Sequence, residues 1–191
     1  MTLVSLLIFL IPVLIGGLIT HRVWPDRRAM ALLLKGSLGT GLGLGVSALL
    51  YFLALIVAPG RIDMLALQVA LLVILASVTL LRERDQKWDR LGFTHLSRLQ
   101  WALIAAVVLA FGILTVSFYK LALVRPQGGF DAWSIWNRAA RFIYRDPENW
   151  RATLSPDLHW QNHADYPLLV PLNVAWVWQA VGAETLRVPM I

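Results

Sequence analysis

Apolar residues in this chain are gathered into long blocks separated by short polar segments. Four blocks, at residues 3–19, 36–58, 64–81 and 99–124, approach or exceed the roughly 20 residues that a helix needs to cross a bilayer. A fifth, at 168–181, is shorter and contains Pro171 and Asn173, so it predicts a tilted, broken or re-entrant span. The pattern predicts an all-α, polytopic transmembrane protein, because a lone helix satisfies its own backbone polar groups in lipid.

The second block contains the small-residue run GSLGTGLGLGVS. Its spacing differs from that of phosphate-binding glycine loops, and no strand precedes it. Small residues repeat every fourth position instead, and such faces let two helices approach closely. Two faces of this kind are predicted, one formed by Ser37, Gly41 and Gly45 and the other by Gly39, Gly43 and Ser47.

Basic residues predict the orientation of the spans. The linker after the first span carries Arg22, Arg27, Arg28 and Lys35, and the linker after the third carries Arg82, Arg84, Lys87, Arg90 and Arg98. Both linkers should be cytoplasmic by the positive-inside rule, which places the N-terminus outside. Residues 1–124 are then four membrane helices and 125–167 an extracytoplasmic loop, while 168–191 contain a fifth membrane helix and the start of another.

Composition narrows the class further. The chain is 58% hydrophobic with a formal charge of +6, but its basic residues sit in short clusters, which argues against a nucleic acid partner. Cysteine is absent, which excludes disulfides and thiolate metal sites. The first apolar block lacks a basic region before it, so it predicts a retained span rather than a signal peptide.

The loop contains an amphipathic pattern at about residues 131–145. At 100° per residue its polar side chains share one arc, and aromatic and aliphatic side chains fill the rest. This pattern predicts a helix lying at the outer headgroup level, with Trp and Tyr as anchors. The predicted polar arc comprises Asp131, Ser134, Asn137, Arg138, Arg141 and Arg145.

Each charged group of this helix has two interpretations. Asp131 is either the N-cap of the helix or a general base that activates an acceptor hydroxyl or amine, and the two roles are compatible. The arginines Arg138, Arg141 and Arg145 form either a face solvated by water and lipid headgroups or a site for the phosphate of a lipid-linked substrate.

A second polar stretch, SPDLHWQNHADYPLLVP, follows. If Ser155 caps a short helix, His159 and His163 share one face, and Asp165 is a further oxygen ligand nearby. A divalent metal and a metal-dependent membrane hydrolase are therefore a weak alternative, since the HExxH glutamate is missing. No other cofactor is predicted. His163 is otherwise a candidate to position or polarise a phosphate leaving group.

These features, in this order, resemble the first outer loop of the GT-C class of membrane glycosyltransferases, especially the protein mannosyltransferases and the bacterial lipid A aminoarabinose transferases. Asp131 of GGFDAW stands where that class has its catalytic aspartate, and His163 with Pro167 and Leu168 in HADYPLL resembles a His-Pro-Pro-Leu element. The chain departs from the pattern of that class in three ways. Ala132 stands where many members have glutamate, and Ala164 and Asp165 interrupt the His-Pro-Pro-Leu element. Three membrane spans also precede the span that normally comes first, before this loop.

The resemblance implies an enzyme of a bacterial inner membrane that moves a sugar from a polyprenyl-phosphate donor to a cell-envelope acceptor on the outer face. Asp131 and His163 would be catalytic, and the three arginines would bind the lipid phosphate. GT-C enzymes have many more spans, so the chain is expected to be a fragment. The alternative is a non-catalytic membrane protein whose outer amphipathic helix binds anionic lipid or a partner subunit.

Overall fold

A computed structural model describes residues 3–25, 29–83, 97–158, 163 and 165–190. A π-helical turn at Ala132–Trp136 leads into the fifth helix, and 3-10 turns lie at Trp150–Leu154 and Val188–Met190. No strand occurs within the described ranges, and the all-α prediction is confirmed. The helices are α1 at Leu3–Val23, α2 at Ala29–Val57, α3 at Met64–Glu83, α4 at Arg98–Val124, α5 at Asn137–Arg145 and α6 at Leu169–Val181.

Helices α1 to α4 are long and apolar enough to cross a membrane, as the four apolar blocks predicted. They also extend past those blocks into polar sequence. Lys35, which was expected in the first linker, instead lies inside α2 and is only 3% exposed. The linker residues Arg27, Arg28, Arg84, Lys87 and Arg90 lie outside the described residues.

Helix α6 is a short core helix. Its 13 residues reach about 20 Å, less than the roughly 30 Å of a hydrocarbon core, and every residue from Pro171 to Trp178 is buried. Pro171 lies in the first turn, where a missing N–H breaks no helical hydrogen bond. The Asn173 amide donates to the Leu44 carbonyl of α2 at 3.2 Å and to the Leu169 carbonyl at 2.9 Å. The two residues that suggested a broken span thus begin and anchor this helix.

One of the two predicted small faces is a helix contact. A methyl group added to Gly43 would overlap the Pro12 carbonyl of α1, and one added to Gly16 would overlap the backbone of Gly39 and Gly43. The face of Gly39, Gly43 and Ser47 is therefore confirmed as a packing face. No described helix packs on the other face, since added methyl groups at Gly41 and Gly45 would meet nothing within 4 Å.

The segment after α4 packs on one end of this bundle. Trp150 lies edge-on to Phe52 of α2 with ring centres 5.5 Å apart, and the Gln179 amide of α6 donates to the Ile62 carbonyl at 3.3 Å. The connection between α2 and α3 and the long loop therefore share one end of the bundle. Helix α4 contributes little to this packing, because none of its apolar window is buried.

Replacing Gly43 by alanine should lower the free energy of unfolding by about 1–3 kcal/mol, because the added methyl group overpacks the contact with Pro12. Gly45→Ala is the matched control in the same helix, and it should be neutral or slightly stabilising because alanine has the higher helix propensity. Thermal unfolding in detergent, followed by tryptophan fluorescence, measures the difference. Equal melting temperatures for the two variants would contradict the close helix contact.

Candidate functional site

Helix α5 is held by its apolar face, which packs on the chain's own core. Ala139, Ala140 and Ile143 are buried, and the ring of Tyr144 lies 5.8 Å from that of Trp178 in α6. The apolar side predicted for this helix is confirmed, but these side chains pack against other residues of the chain rather than against lipid. This packing leaves the arginines on the opposite side of the helix.

The π-helical turn before α5 changes which residues share a face. A π turn bonds i to i+5 and adds one residue per turn, so it rotates the residues before it by about 100° relative to an unbroken α-helix. Ser134, predicted in the polar arc, is only 7% exposed. Asn137 is buried as well and donates its amide to the Gln127 carbonyl at 3.1 Å. The prediction of an exposed polar position is wrong for both residues.

The three predicted arginines meet at one cavity, which we call the arginine cavity. Its volume is about 350 Å³. Arg138, Arg141 and Arg145 project into it from successive turns of the helix, and the cavity continues over the 3-10 turn that follows. The residues that line it are Arg138, Arg141, Phe142, Arg145, Asp146, Asn149 and Ala152.

Two of these arginines are fixed by Glu184, which follows α6. The Arg141 Nε donates to Glu184 Oε1 at 2.6 Å, and the Arg145 Nε donates to Glu184 Oε2 at 2.7 Å. Arg141 also donates to the Gln127 side chain at 3.0 Å and lies 5.9 Å from the centre of the Trp178 ring. The guanidinium groups are therefore held in place before any ligand binds.

The charges of this cluster shift the pKa of its acid. Partial burial by itself would raise the pKa of the Glu184 carboxyl, but the hydrogen bonds and charges of Arg145 and Arg141 outweigh burial and hold that pKa below its usual 4.5. The same carboxylate raises the pKa of the Arg145 guanidinium. Among the described residues, Arg138, Arg141 and Arg145 line the cavity together with Asp146, and Glu184 pairs with Arg141 and Arg145.

Asp131 does not cap the helix. Its backbone is already helical at φ −63° and ψ −36°, and its side chain makes no capping hydrogen bond. The N-cap interpretation is wrong because the helical segment begins at residue 130, ahead of Asp131. The carboxylate is exposed to solvent, and Asp131 is not among the residues that line the arginine cavity.

His163 lies beside the π turn that precedes α5. It has a left-handed backbone at φ 47°, and its ring stacks on Tyr166 at 4.5 Å between centres. Tyr166 in turn stacks on Trp136 at 5.3 Å. A narrow crevice beside these rings is lined by His163 and Pro167 but not by Asp131. The structure thus brings His163 to the π turn without placing Asp131 in the same pocket.

The predicted metal site is not assembled in the described part of the chain. No group of three His, Cys, Asp or Glu side chains converges there, and His159 lies outside the described residues. The prediction of a helix after Ser155 is wrong for the described residues, because residues 156–158 form a turn and a bend. Ser155 Oγ accepts from the Asp157 amide at 3.2 Å within that turn. Asp165 is exposed.

Sequence reasoning missed Glu184 and Gln127. The only available signal was that arginines on an amphipathic helix need acceptors, and acids are scarce near the end of the chain. Glu184 lies far from Arg141 in sequence, so no helical spacing connects the two. Neither a family model, nor a curated protein, nor a solved structure matches this chain.

Glu184→Gln should remove the charge that holds Arg141 and Arg145, and it should lower the melting temperature at neutral pH because both ion pairs are lost. Because the folded pKa of Glu184 is lowered, its contribution is present above pH 4.5 and is lost as the pH falls below that value through the folded pKa. The melting temperatures of the two proteins should therefore converge in acid. A constant difference from pH 7 to pH 3 would contradict this role.

Proposed function

We propose that this chain acts in an integral membrane glycosyltransferase that takes a sugar from a polyprenyl-phosphate donor and transfers it to a cell-envelope acceptor outside a bacterial inner membrane. The observation that carries the proposal is the arginine cavity, where three guanidinium groups from one helix converge. The resemblance of the loop to GT-C enzymes supplies the reaction class.

The cavity suits a phosphate held at the edge of a membrane. A guanidinium presents two parallel N–H donors that match phosphate oxygens. The Arg145 side chain is 64% exposed, so the Nη1 side of its guanidinium is open to a ligand while Nε and Nη2 donate to Glu184. Because Glu184 already holds the guanidinium groups in place, less conformational entropy is lost when a ligand binds.

The transfer would be a single displacement. Asp131, as general base, takes the proton of the acceptor hydroxyl, whose oxygen then bonds to the sugar's anomeric carbon. The bond from that carbon to the phosphate oxygen breaks, and the electron pair leaves with the polyprenyl phosphate. The arginines stabilise the negative charge that develops on the phosphate.

The spacing along the helix is compatible with this division of work. Asp131 precedes Arg138 by about two helical turns, which leaves room for a sugar between carboxylate and phosphate. The exposed carboxylate of Asp131 lacks a capping hydrogen bond, so it is free to accept a proton.

A second function is favoured by the rotation that the π turn imposes. Asp131 does not line the arginine cavity, so the arginines can bind anionic headgroups without any chemistry. In that case the chain is a non-catalytic membrane protein that binds anionic lipid through α5. The two functions share the arginines and differ only in the role of Asp131.

Asp131→Asn tests the chemistry. In membranes that contain the full-length protein, it should reduce sugar release from polyprenyl-phosphate mannose or aminoarabinose by at least about 100-fold, because general-base catalysis is typically worth that much. Asp157→Asn, an exposed aspartate in the turn after Leu154, is the matched control. Unchanged transfer by Asp131→Asn, at equal abundance, would contradict the catalytic role and favour lipid binding alone.

Arg145→Gln tests the phosphate site. It should weaken binding of polyprenyl phosphate to the detergent-solubilised protein about tenfold, because a charge-assisted hydrogen bond to the phosphate is lost. Arg151→Gln is the control, since Arg151 is exposed, lies 4.7 Å from the centre of the Trp150 ring and is outside the cavity. Isothermal titration gives both affinities, and equal losses would show that the cavity has no special role.

A further inference from the structure

A second cavity lies at the opposite end of the bundle, where α1 ends and α2 begins. Its volume is about 480 Å³, within the roughly 300–1,000 Å³ of small-molecule sites. Helix α1 packs against both α2 and α3, and the cavity opens between those two helices. Leu80 and Gly36 on its wall are exposed, so it is open to the membrane side of the bundle.

Three ionisable side chains from three helices form a chain of contacts on the wall of this cavity. Lys35 Nζ lies 3.1 Å from His21 Nδ1, and His21 Nε2 lies 2.6 Å from Glu83 Oε1. An ammonium only donates, so Nδ1 accepts, and the proton of the neutral ring is on Nε2 facing Glu83. We call this arrangement the Lys-His-Glu relay.

The relay carries a separated positive and negative charge. Lys35 is 3% exposed and also lies 5.8 Å from the centre of the Trp24 ring, while the side chains of His21 and Glu83 are 13% and 20% exposed. Charged groups inside a membrane bundle are costly and mark binding sites or transport pathways more often than packing.

The rest of the cavity is apolar and reaches along the helices. Its wall away from the relay is formed by Leu18, Leu32, Ala76 and Leu80, together with glycines. Thr79 turns its hydroxyl back to the Leu75 carbonyl at 2.7 Å, so this side chain adds no free polar group. A ligand that fits has a charged head at the relay and a hydrocarbon part along this wall.

We infer that this cavity binds a phosphoethanolamine lipid of the adjacent leaflet. The phosphate lies toward Lys35, the primary ammonium toward Glu83, and an acyl chain along the apolar wall. A purely anionic headgroup would satisfy Lys35 but face the Glu83 carboxylate. A choline headgroup has no N–H to donate to that carboxylate, so the ethanolamine headgroup is the best match to the relay.

The test uses the full chain purified in detergent and incubated separately with phosphatidylethanolamine, phosphatidylglycerol and phosphatidylcholine that have identical acyl chains. Native mass spectrometry measures the lipid retained. The wild type should retain phosphatidylethanolamine about tenfold better than either other lipid. Equal retention of all three, or a preference for phosphatidylglycerol, would overturn the inference.

Two variants assign the binding to this cavity. Glu83→Gln keeps the size of the side chain and should abolish the preference for phosphatidylethanolamine over phosphatidylglycerol. Gly36→Leu should fill the cavity and abolish retention, since Gly36 lines it and has open space around its Cα.

Gly41→Leu is the matched control for Gly36→Leu, because Gly41 has the same open space in the same helix but does not line the cavity. It should bind lipid like the wild type. Neither glycine substitution changes the Lys-His-Glu relay, so the two glycine variants still test the proposal if Glu83→Gln fails to fold. Wild-type retention by Gly36→Leu would overturn the proposal.

Discussion

The direct backbone contact between α1 and α2 is the constraint on which the rest of the structure depends. In lipid, helices gain little from apolar burial alone, so close packing at small residues has to hold them together. Gly16, Gly39 and Gly43 allow this approach. The antiparallel contact also sets the register of α1 against α2. One helical turn beyond the contact of Gly39 with Gly17, it places Lys35 beside His21. The polar contact of Ser47 with Gln68 then joins α3 at 2.8 Å.

Helix α6 plays the corresponding part at the other end of the bundle. Its buried residues form the surface on which α5 lies, and its C-terminal end brings Glu184 to the arginines. Both charged sites bring cationic and anionic side chains from different parts of the chain together beside a cavity. Removing one member of a buried charge pair is strongly destabilising, because it leaves the other charge without compensation. Each site therefore depends on the helix packing that aligns its members.

The candidate site could be predicted in part. The arginines Arg138, Arg141 and Arg145 follow α-helical spacing, so their shared face was visible in the sequence. Ser134 was misassigned because the wheel assumes 100° per residue, and a π turn interrupts that period. Asn137 follows the π turn, and it is buried because its amide donates to the Gln127 carbonyl, a contact that no helical period shows. The N-cap interpretation of Asp131 was wrong because the helical segment starts before this residue. Glu184 has no local pattern, since its role depends on the position of α6.

The sequence by itself determined the helical class, the four long apolar helices, the amphipathic helix and the small-residue face of α2. These features follow from local periodicity and from the helix length that a bilayer requires. Residues close together in the sequence specify both. Only the tertiary structure decided that α6 is a buried core helix, that Glu184 holds two arginines, and that Lys35 is an interior partner of His21. Those outcomes depend on contacts between residues distant in sequence, and no spacing rule encodes such contacts.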